Sequence, residues 1–382
     1  MNRSKPEMTE SAVTTNAPQG RSPELESVRG LAALLVFFFH LSKTLAIDPA
    51  MKWTDPLNFR FVHNGEIMVE LFFVLSGFVI SASYLDKIKS LKDLLRFQFL
   101  RVCRLYPVHL LFLLVAIAYS WLKLVAPDMP GTQFTQEEGL DWSSFVHHIF
   151  LTQSLWPEPA ASRFNLPSWS ISTEFYTYLL FGLLVLVSNR HRRLAILGAA
   201  IVSNFLLIRN SAPQLHLALR CTSGFLIGCL TEFLVRTQRR RVPPFTTDLV
   251  LVVLLAFVAV KNSKVYDPFM YLLGSLLILS IILNGKSITS SILRARPLVW
   301  LGGISYSLYM SHYLIIKFAV AACHSVSGVW SGAGIPQVSL MNTVIFEVLA
   351  LAATLYLSHL TFHLLETPTR ESSRRFAQNR LK

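Results

Sequence analysis

Apolar residues gather in long runs separated by short polar segments. A helix needs about 20 mostly apolar residues to cross the hydrocarbon core of a bilayer. Ten windows approach that length: 27–47, 66–85, 105–125, 167–188, 194–209, 214–235, 246–262, 266–284, 298–322 and 340–365. The fifth is the shortest. The pattern predicts an all-α integral membrane protein, a bundle of about ten transmembrane helices. Residues 27–365 form one membrane domain on this reading. Residues 1–26, rich in Ser, Thr, Pro and Glu, read as a disordered tail. They lack the early apolar core and the small-residue cleavage site of a signal peptide. Residues 366–382 read as a basic tail. No internal repeat is visible.

Composition strengthens the membrane reading. Only 15% of the 382 residues are charged and 52% are apolar, with a mean hydropathy of +0.47. A soluble domain carries about 25% charged residues, so this chain has too little polar surface to cover a soluble core of its size. The formal net charge is +13, and its distribution fixes an orientation. Basic clusters fall in every second loop: Lys87 to Arg104, Arg190 to Arg193, Arg236 to Arg241, Lys286 to Arg296, and the C-terminal tail. The loops between them are poor in Lys and Arg. This positive-inside alternation places both termini in the cytoplasm and requires an even number of spans. Basic residues scattered between apolar runs argue against a nucleic-acid partner. The longest outside segment, 126–166, is acidic (Asp128, Glu137, Glu138, Asp141, Glu158) and contains Trp142, His147, His148 and Trp156. It reads as a solvated loop with an aromatic belt, an interfacial or re-entrant helix being the alternative. Cys103, Cys221, Cys229 and Cys323 show no metal-type spacing and read as inert thiols.

Ionisable residues inside spans are costly and mark candidate sites. Arg29 and His40 lie on the first window, Glu70 on the second, Glu174 on the fourth, Arg220 on the sixth and His312 on the ninth. At a rise of 1.5 Å per residue, His40 and Glu174 fall about 10 Å below the outer boundary, Arg220 about 9 Å, Glu70 about 6 Å and His312 about 15 Å. The similar depths predict a shared polar cavity opening outward. Arg29, Arg101 and Arg104 sit at the cytoplasmic mouth instead. Guanidinium groups suit phosphate, so a phosphate-bearing donor entering from the cytoplasm would fit. Each residue also has a plain structural reading. The arginines could be positive-inside anchors, Glu70 and Arg220 a buried ion pair, and His40 and His312 satisfied core histidines. Tyr306 and Tyr309 could be packing residues. A second functional class stays open as well: a secondary transporter of an anionic or glycosylated substrate, with Glu and His as a proton relay.

Five ordered segments carry a resemblance. ELESVRGLAALLVFFFHL (24–41), ELFFVLSGFVIS (70–81), FLRVCRLYPVHL (99–110), PSWSISTEFYTYLLF (167–181) and LGGISYSLYMSHYLI (301–315) resemble the membrane acyltransferase 3 family. RCTSGFLIG (220–228) and LLETPTR (364–370) match more weakly. The resemblance implies a multi-pass enzyme of the bacterial inner membrane, of the polysaccharide or lipopolysaccharide O-acetyltransferase type. It implies transfer of an acyl group, commonly acetyl, from cytoplasmic acyl-CoA to a hydroxyl of a glycan or glycolipid acceptor. Acyl-CoA is then a co-substrate, and no bound cofactor is implied. By resemblance His40 is the catalytic histidine and Glu174 the acidic site residue, expected to orient the His40 ring. Arg29, Arg101 and Arg104 would hold the donor phosphates. Glu70, Arg220, Tyr306 and His312 would form the supporting polar cluster. Two positions depart from the family pattern: Met68 stands where Gly is frequent, and Glu26 where Asp is usual. Some relatives carry a C-terminal SGNH-type hydrolase domain. Here about 17 residues follow the last window, so the membrane domain or a partner is expected to complete the transfer.

Overall fold

A computed structural model describes residues 22–44, 59–125, 141–155, 163–238, 241–263, 267–284, 286–327 and 340–380. Most of the predicted N-terminal tail, together with Asp128, Glu137, Glu138, Trp156, Glu158, Arg239, Arg240, Lys382 and the Cys323 side chain, lies outside the described residues. All regular structure among the described residues is helical. The order is α1 (Pro23–Thr44), α2 (Arg60–His63), α3 (Met68–Tyr84), α4 (Leu91–Val125), α5 (Trp142–Ile149), α6 (Trp169–Ser188), α7 (Arg192–Ile208) and α8 (His216–Thr237). It continues with α9 (Phe245–Val260), α10 (Asp267–Asn284), α11 (Ile288–Leu293), α12 (Arg296–Gly303), α13 (Ser305–Ser327), α14 (Leu340–Thr361) and α15 (Thr367–Arg380). Among the described residues, seven helical stretches are long and apolar enough to cross a membrane. One of them, Leu166–Ile208, is 43 residues long and contains both α6 and α7. The protein is a multi-pass, all-helical membrane protein.

Several element boundaries differ from the sequence reading, each for a physical reason. The third helix starts at Leu91, not near residue 105. Its first half buries Leu94, Phe97, Arg101, Leu105 and Val108, a helical spacing that an average over the polar residues between them conceals. Arg101 and Arg104 therefore sit on a continuous helix, not in a loop. The window 298–322 is broken between α12 and α13. Residues 23–26, assigned to the disordered tail, already belong to α1. Most of the C-terminal segment is α15, which buries Ser373 and Ala377 and places Phe376 5.6 Å from the Phe99 ring of α4. Within the segment 126–166, the described residues 141–155 include a short helix, α5. The Asp141 carboxylate caps α5 by accepting from the amides of Ser143 and Ser144, and the Ser144 hydroxyl bond leads in holding that carboxyl below its ordinary range. Beyond α5 the chain turns into the bundle at Leu151, whose φ of 56° lies in the left-handed region. There the Ser154 hydroxyl donates to Trp169 O (2.7 Å), and the Gln153 amide donates to Ser168 O (3.1 Å). Trp142 stays 80% exposed.

Two backbone approaches hold the helices that carry the site. Helices in a membrane gain little from exchanging one apolar neighbour for another, so close packing of small residues matters more. A Cβ on Gly77 of α3 would meet Phe225 O of α8 at 1.9 Å, and one on Gly228 of α8 would meet Val74 O at 2.0 Å. Likewise, a Cβ on Gly302 of α12 would lie 2.1 Å from Glu26 O of α1. The start of α1 is fastened further by Arg294 Nε to Glu24 (2.5 Å) and by the Ser27 hydroxyl to Leu293 O (2.5 Å). These contacts fix the positions of α1 and α3, which supply Arg29, His40 and Ser76.

Candidate active site

α1, α3, α4, α6 and α13 enclose a cavity of about 760 Å³, counting the space at its open mouth. Its charged lining consists of Arg29, Arg101, Arg104 and Glu174, three cations against one carboxylate. Arg29 and Arg101 are placed by helix register: Arg29 shares a face of α1 with the buried Ala33 and Val36, and Arg101 belongs to the buried stripe of α4. Arg29 lies 3.7 Å from Glu26. Arg101 is 7% exposed and stacks on aromatic rings, 5.3 Å from Tyr84, 5.8 Å from Phe97 and 5.9 Å from Tyr178. Its Nη2 donates to the Tyr84 hydroxyl at 3.2 Å, while its Nε is buried with no hydrogen-bond partner among the described residues. A buried, unpaired guanidinium N–H is costly. An anionic group entering the cavity would satisfy it, so the donor set fits phosphate. Arg104 interacts electrostatically with Glu174 and Glu366.

Glu174 is held from two helices. Its carboxylate accepts from the Ser76 hydroxyl at 2.6 Å and from the Tyr178 hydroxyl one turn along α6. Ser76 and Tyr178 also lie 2.8 Å apart. Ser170, Ser305, Tyr306 and Tyr309 complete the polar lining, and the Tyr306 hydroxyl donates to Leu105 O at 2.5 Å.

His40 lies at the other end of α1, 11 residues after Arg29 or about 16 Å along the axis. Its Nδ1 is 3.0 Å from Val36 O and 3.1 Å from His312 Nε2. The two imidazoles are 4.9 Å apart, and Tyr313 packs edge-on to His40 at 5.5 Å. Tyr309 connects the two regions. It lines the arginine cavity, and its ring lies 5.8 Å from both Phe72 and His312.

The predicted site residues therefore separate into three groups. Arg29, Arg101, Arg104, Glu174 and Tyr306 line the cavity. His40 pairs with His312. Glu70 and Arg220 form a closed ion pair, with Arg220 Nη2 2.5 Å from a fully buried Glu70 carboxylate and the guanidinium 5.0 Å from the Trp169 ring. The expected single cavity shared by His40, Glu70, Glu174 and Arg220 is not formed, and Glu174 does not reach the His40 ring. Gln153 and Ser154 of the 151–155 segment bond to the start of α6, so residue 167 lies against protein and is not a free helix end. Polar residues not singled out in the sequence also belong to the arrangement, Ser170 and Ser305 of the lining among them. Tyr178 follows Glu174 at i+4, a spacing that brings side chains together on a helix. Ser76 lies within the ELFFVLSGFVIS segment, 70–81. Ser307 donates to Glu366 at 2.8 Å. Glu366 ends a π-helical turn, Phe362–Glu366, that follows α14, an irregularity that hydropathy does not signal. Among the described residues, no group of three His, Cys, Asp or Glu is placed to hold a metal ion. Cys221 and Cys229 are buried thiols, and Cys103 is half-buried.

Residues 22–363 match the acyltransferase domain of the acyltransferase 3 family. The chain belongs to this family. As an enzyme it is an acyltransferase, and several O-acetyltransferases are among its relatives. It is 29% identical to acyltransferase MdmB of Streptomyces mycarofaciens over 78% of this chain and 80% of that protein. It is 25% identical to peptidoglycan O-acetyltransferase OatA of Listeria monocytogenes over 94% of this chain and 57% of the relative. Identity to putative peptidoglycan O-acetyltransferase YrhL of Bacillus subtilis is also 25%, over 91% of this chain and 55% of the relative. The chain thus spans a little over half the length of those two O-acetyltransferases. No solved structure matches.

Proposed function

We propose that the protein is an O-acyltransferase of the bacterial inner membrane, with ten spans and both termini in the cytoplasm. It takes an acyl group, acetyl in the first instance, from cytoplasmic acyl-CoA and passes it to a hydroxyl of a glycan or other glycosylated acceptor. The observation that carries this reading is the arginine cavity. Three guanidinium groups face one carboxylate there, and one of them keeps an unpaired buried N–H. Such a site is built for an anion. Arg29, Arg101 and Arg104 hold the donor phosphates, and Glu174, fixed by Ser76 and Tyr178, keeps the guanidinium array in order. Relatives named as peptidoglycan O-acetyltransferases support a glycan acceptor.

The transfer itself needs a base for the acceptor proton and stabilisation of the oxyanion. His40 supplies the base. Its distance from Arg29 along α1 is a length that the flexible arm of the donor can bridge, with the acyl group passing Tyr309. Membranes supplied with labelled acetyl-CoA test the reading through label in the glycan, lipid and protein fractions. Label in a glycan or glycolipid fraction that disappears in His40→Ala is expected. Equal label in wild type and variant, or label confined to protein, would contradict it.

A further inference from the structure

The contact between His40 and His312 fixes where the hydrogens are. His40 Nδ1 lies 3.0 Å from Val36 O, four residues back on α1. His312 Nδ1 lies 3.2 Å from Leu308 O, four residues back on α13. A carbonyl oxygen can only accept, and a neutral imidazole has one N–H. Each ring therefore carries its hydrogen on Nδ1 and a lone pair on Nε2. His312 Nε2 faces His40 Nδ1 at 3.1 Å, so it accepts from the same N–H that Val36 O accepts. The pair is directional. His312 acts on His40 only as an acceptor, and Nε2 of His40 is the ring nitrogen left without a hydrogen-bond partner among the described residues.

We infer that His312 is a positioning residue, which holds the His40 ring so that Nε2 is the atom that takes the acceptor proton. Its catalytic use rests on the acyl-transfer reading above. In that reaction the acceptor O–H proton moves to His40 Nε2 as the oxygen forms a bond to the thioester carbonyl carbon. The C–S bond then breaks, and the departing sulfur takes the proton back from Nε2 and leaves as a thiol. Throughout, the Nδ1–H of His40 keeps two acceptors from two helices, which prevents the ring from rotating as its charge changes. This arrangement occupies the place that a carboxylate holds in a Ser-His-Asp triad, and it explains why Glu174 is not needed beside His40. A one-residue helix break at Ile304 separates α12 from α13, the helix that presents His312 to α1.

The test has two arms. The first is 15N NMR of histidine-labelled full-length protein in lipid nanodiscs, with the His40 signals assigned by their loss in His40→Ala. Wild type is expected to show a protonated Nδ1 and a lone-pair Nε2 at His40, and His312→Leu is expected to move the Nδ1 signal and admit the other tautomer. The opposite tautomer in wild type, or a spectrum unchanged in His312→Leu, overturns the inference. The second arm is steady-state kinetics. His312→Leu should lower kcat on the order of 100-fold with the donor KM unchanged, while His312→Gln, whose amide oxygen can accept the same N–H, should stay within about tenfold of wild type. Equal loss in both variants, or none in His312→Leu, also overturns it. The NMR arm does not need the transfer reaction, so an unsuitable donor or acceptor leaves it decisive.

Discussion

Glu70 and Glu174 are both carboxylates carried on apolar helices, yet their surroundings differ. Glu70 is fully buried and bonded to Arg220, which is itself capped by the Trp169 ring. One Glu70 oxygen takes both Arg220 contacts, while its other oxygen is buried with no hydrogen-bond partner among the described residues. Glu174 is half-buried and bonded to the neutral hydroxyls of Ser76 and Tyr178, while three arginines line the same cavity. The contrast separates an ion pair that joins α3 to α8 from a charge that shapes an anion site. It also shows why ionisable residues within spans cannot be assigned to chemistry by presence alone. Two of them neutralise one another, whereas the arginine cluster carries excess positive charge that an anionic ligand can meet.

The contrast can be broken experimentally, starting where the effect is largest. Glu70→Ala leaves the buried Arg220 without its partner and should destabilise the folded protein by about 3–5 kcal/mol, seen as an earlier thermal unfolding in detergent. A double variant, Glu70→Leu with Arg220→Met, removes both charges and should recover most of that loss, since a packed apolar pair often replaces a buried ion pair at little cost. If the double variant instead unfolds as early as the single one, the pair does more than neutralise charge. Arg104→Ala should act on the other region. It leaves the unfolding temperature near that of wild type and raises the donor KM by about 10–100-fold, the range expected for losing hydrogen bonds to a charged group. A raised unfolding sensitivity with an unchanged KM would make Arg104 a structural residue like Arg220. The smallest effect belongs to Tyr178→Phe, which deletes one hydroxyl bond to Glu174 and should lower kcat/KM by up to about tenfold.

Much of this arrangement was legible in the sequence. Helices lie under all ten apolar windows, although only seven described stretches are long and apolar enough to span, and Arg29, Arg101, Arg104 and Glu174, singled out in their segments, line one cavity. What one dimension could not give was the grouping. Depth along each helix predicted one level for His40, Glu70, Glu174 and Arg220, but Glu174 shares its cavity with Arg29, at the opposite end of α1 from His40. Rotation about each helix axis sends Glu70 toward α8 and His40 toward α13. The early start of α4 stayed hidden because Lys92, Arg96 and Arg104 interrupt an otherwise regular apolar stripe. The π-helical turn before α15, which aims Glu366 at Ser307, leaves no hydropathic trace at all. The partnership of His40 with His312 spans 272 residues of sequence and depends on a helix break at Ile304 that apolarity masks.

The central claim is that the arginine cavity holds the phosphates of the donor, while His40 acts at a separate place on the same helix. Equilibrium binding of CoA to purified protein in lipid nanodiscs tests this without requiring an acceptor. The account predicts that wild type and His40→Ala bind CoA alike, and that Arg104→Ala binds it about 10–100-fold more weakly. CoA affinity that is unchanged in Arg104→Ala, or lost in His40→Ala, would contradict it.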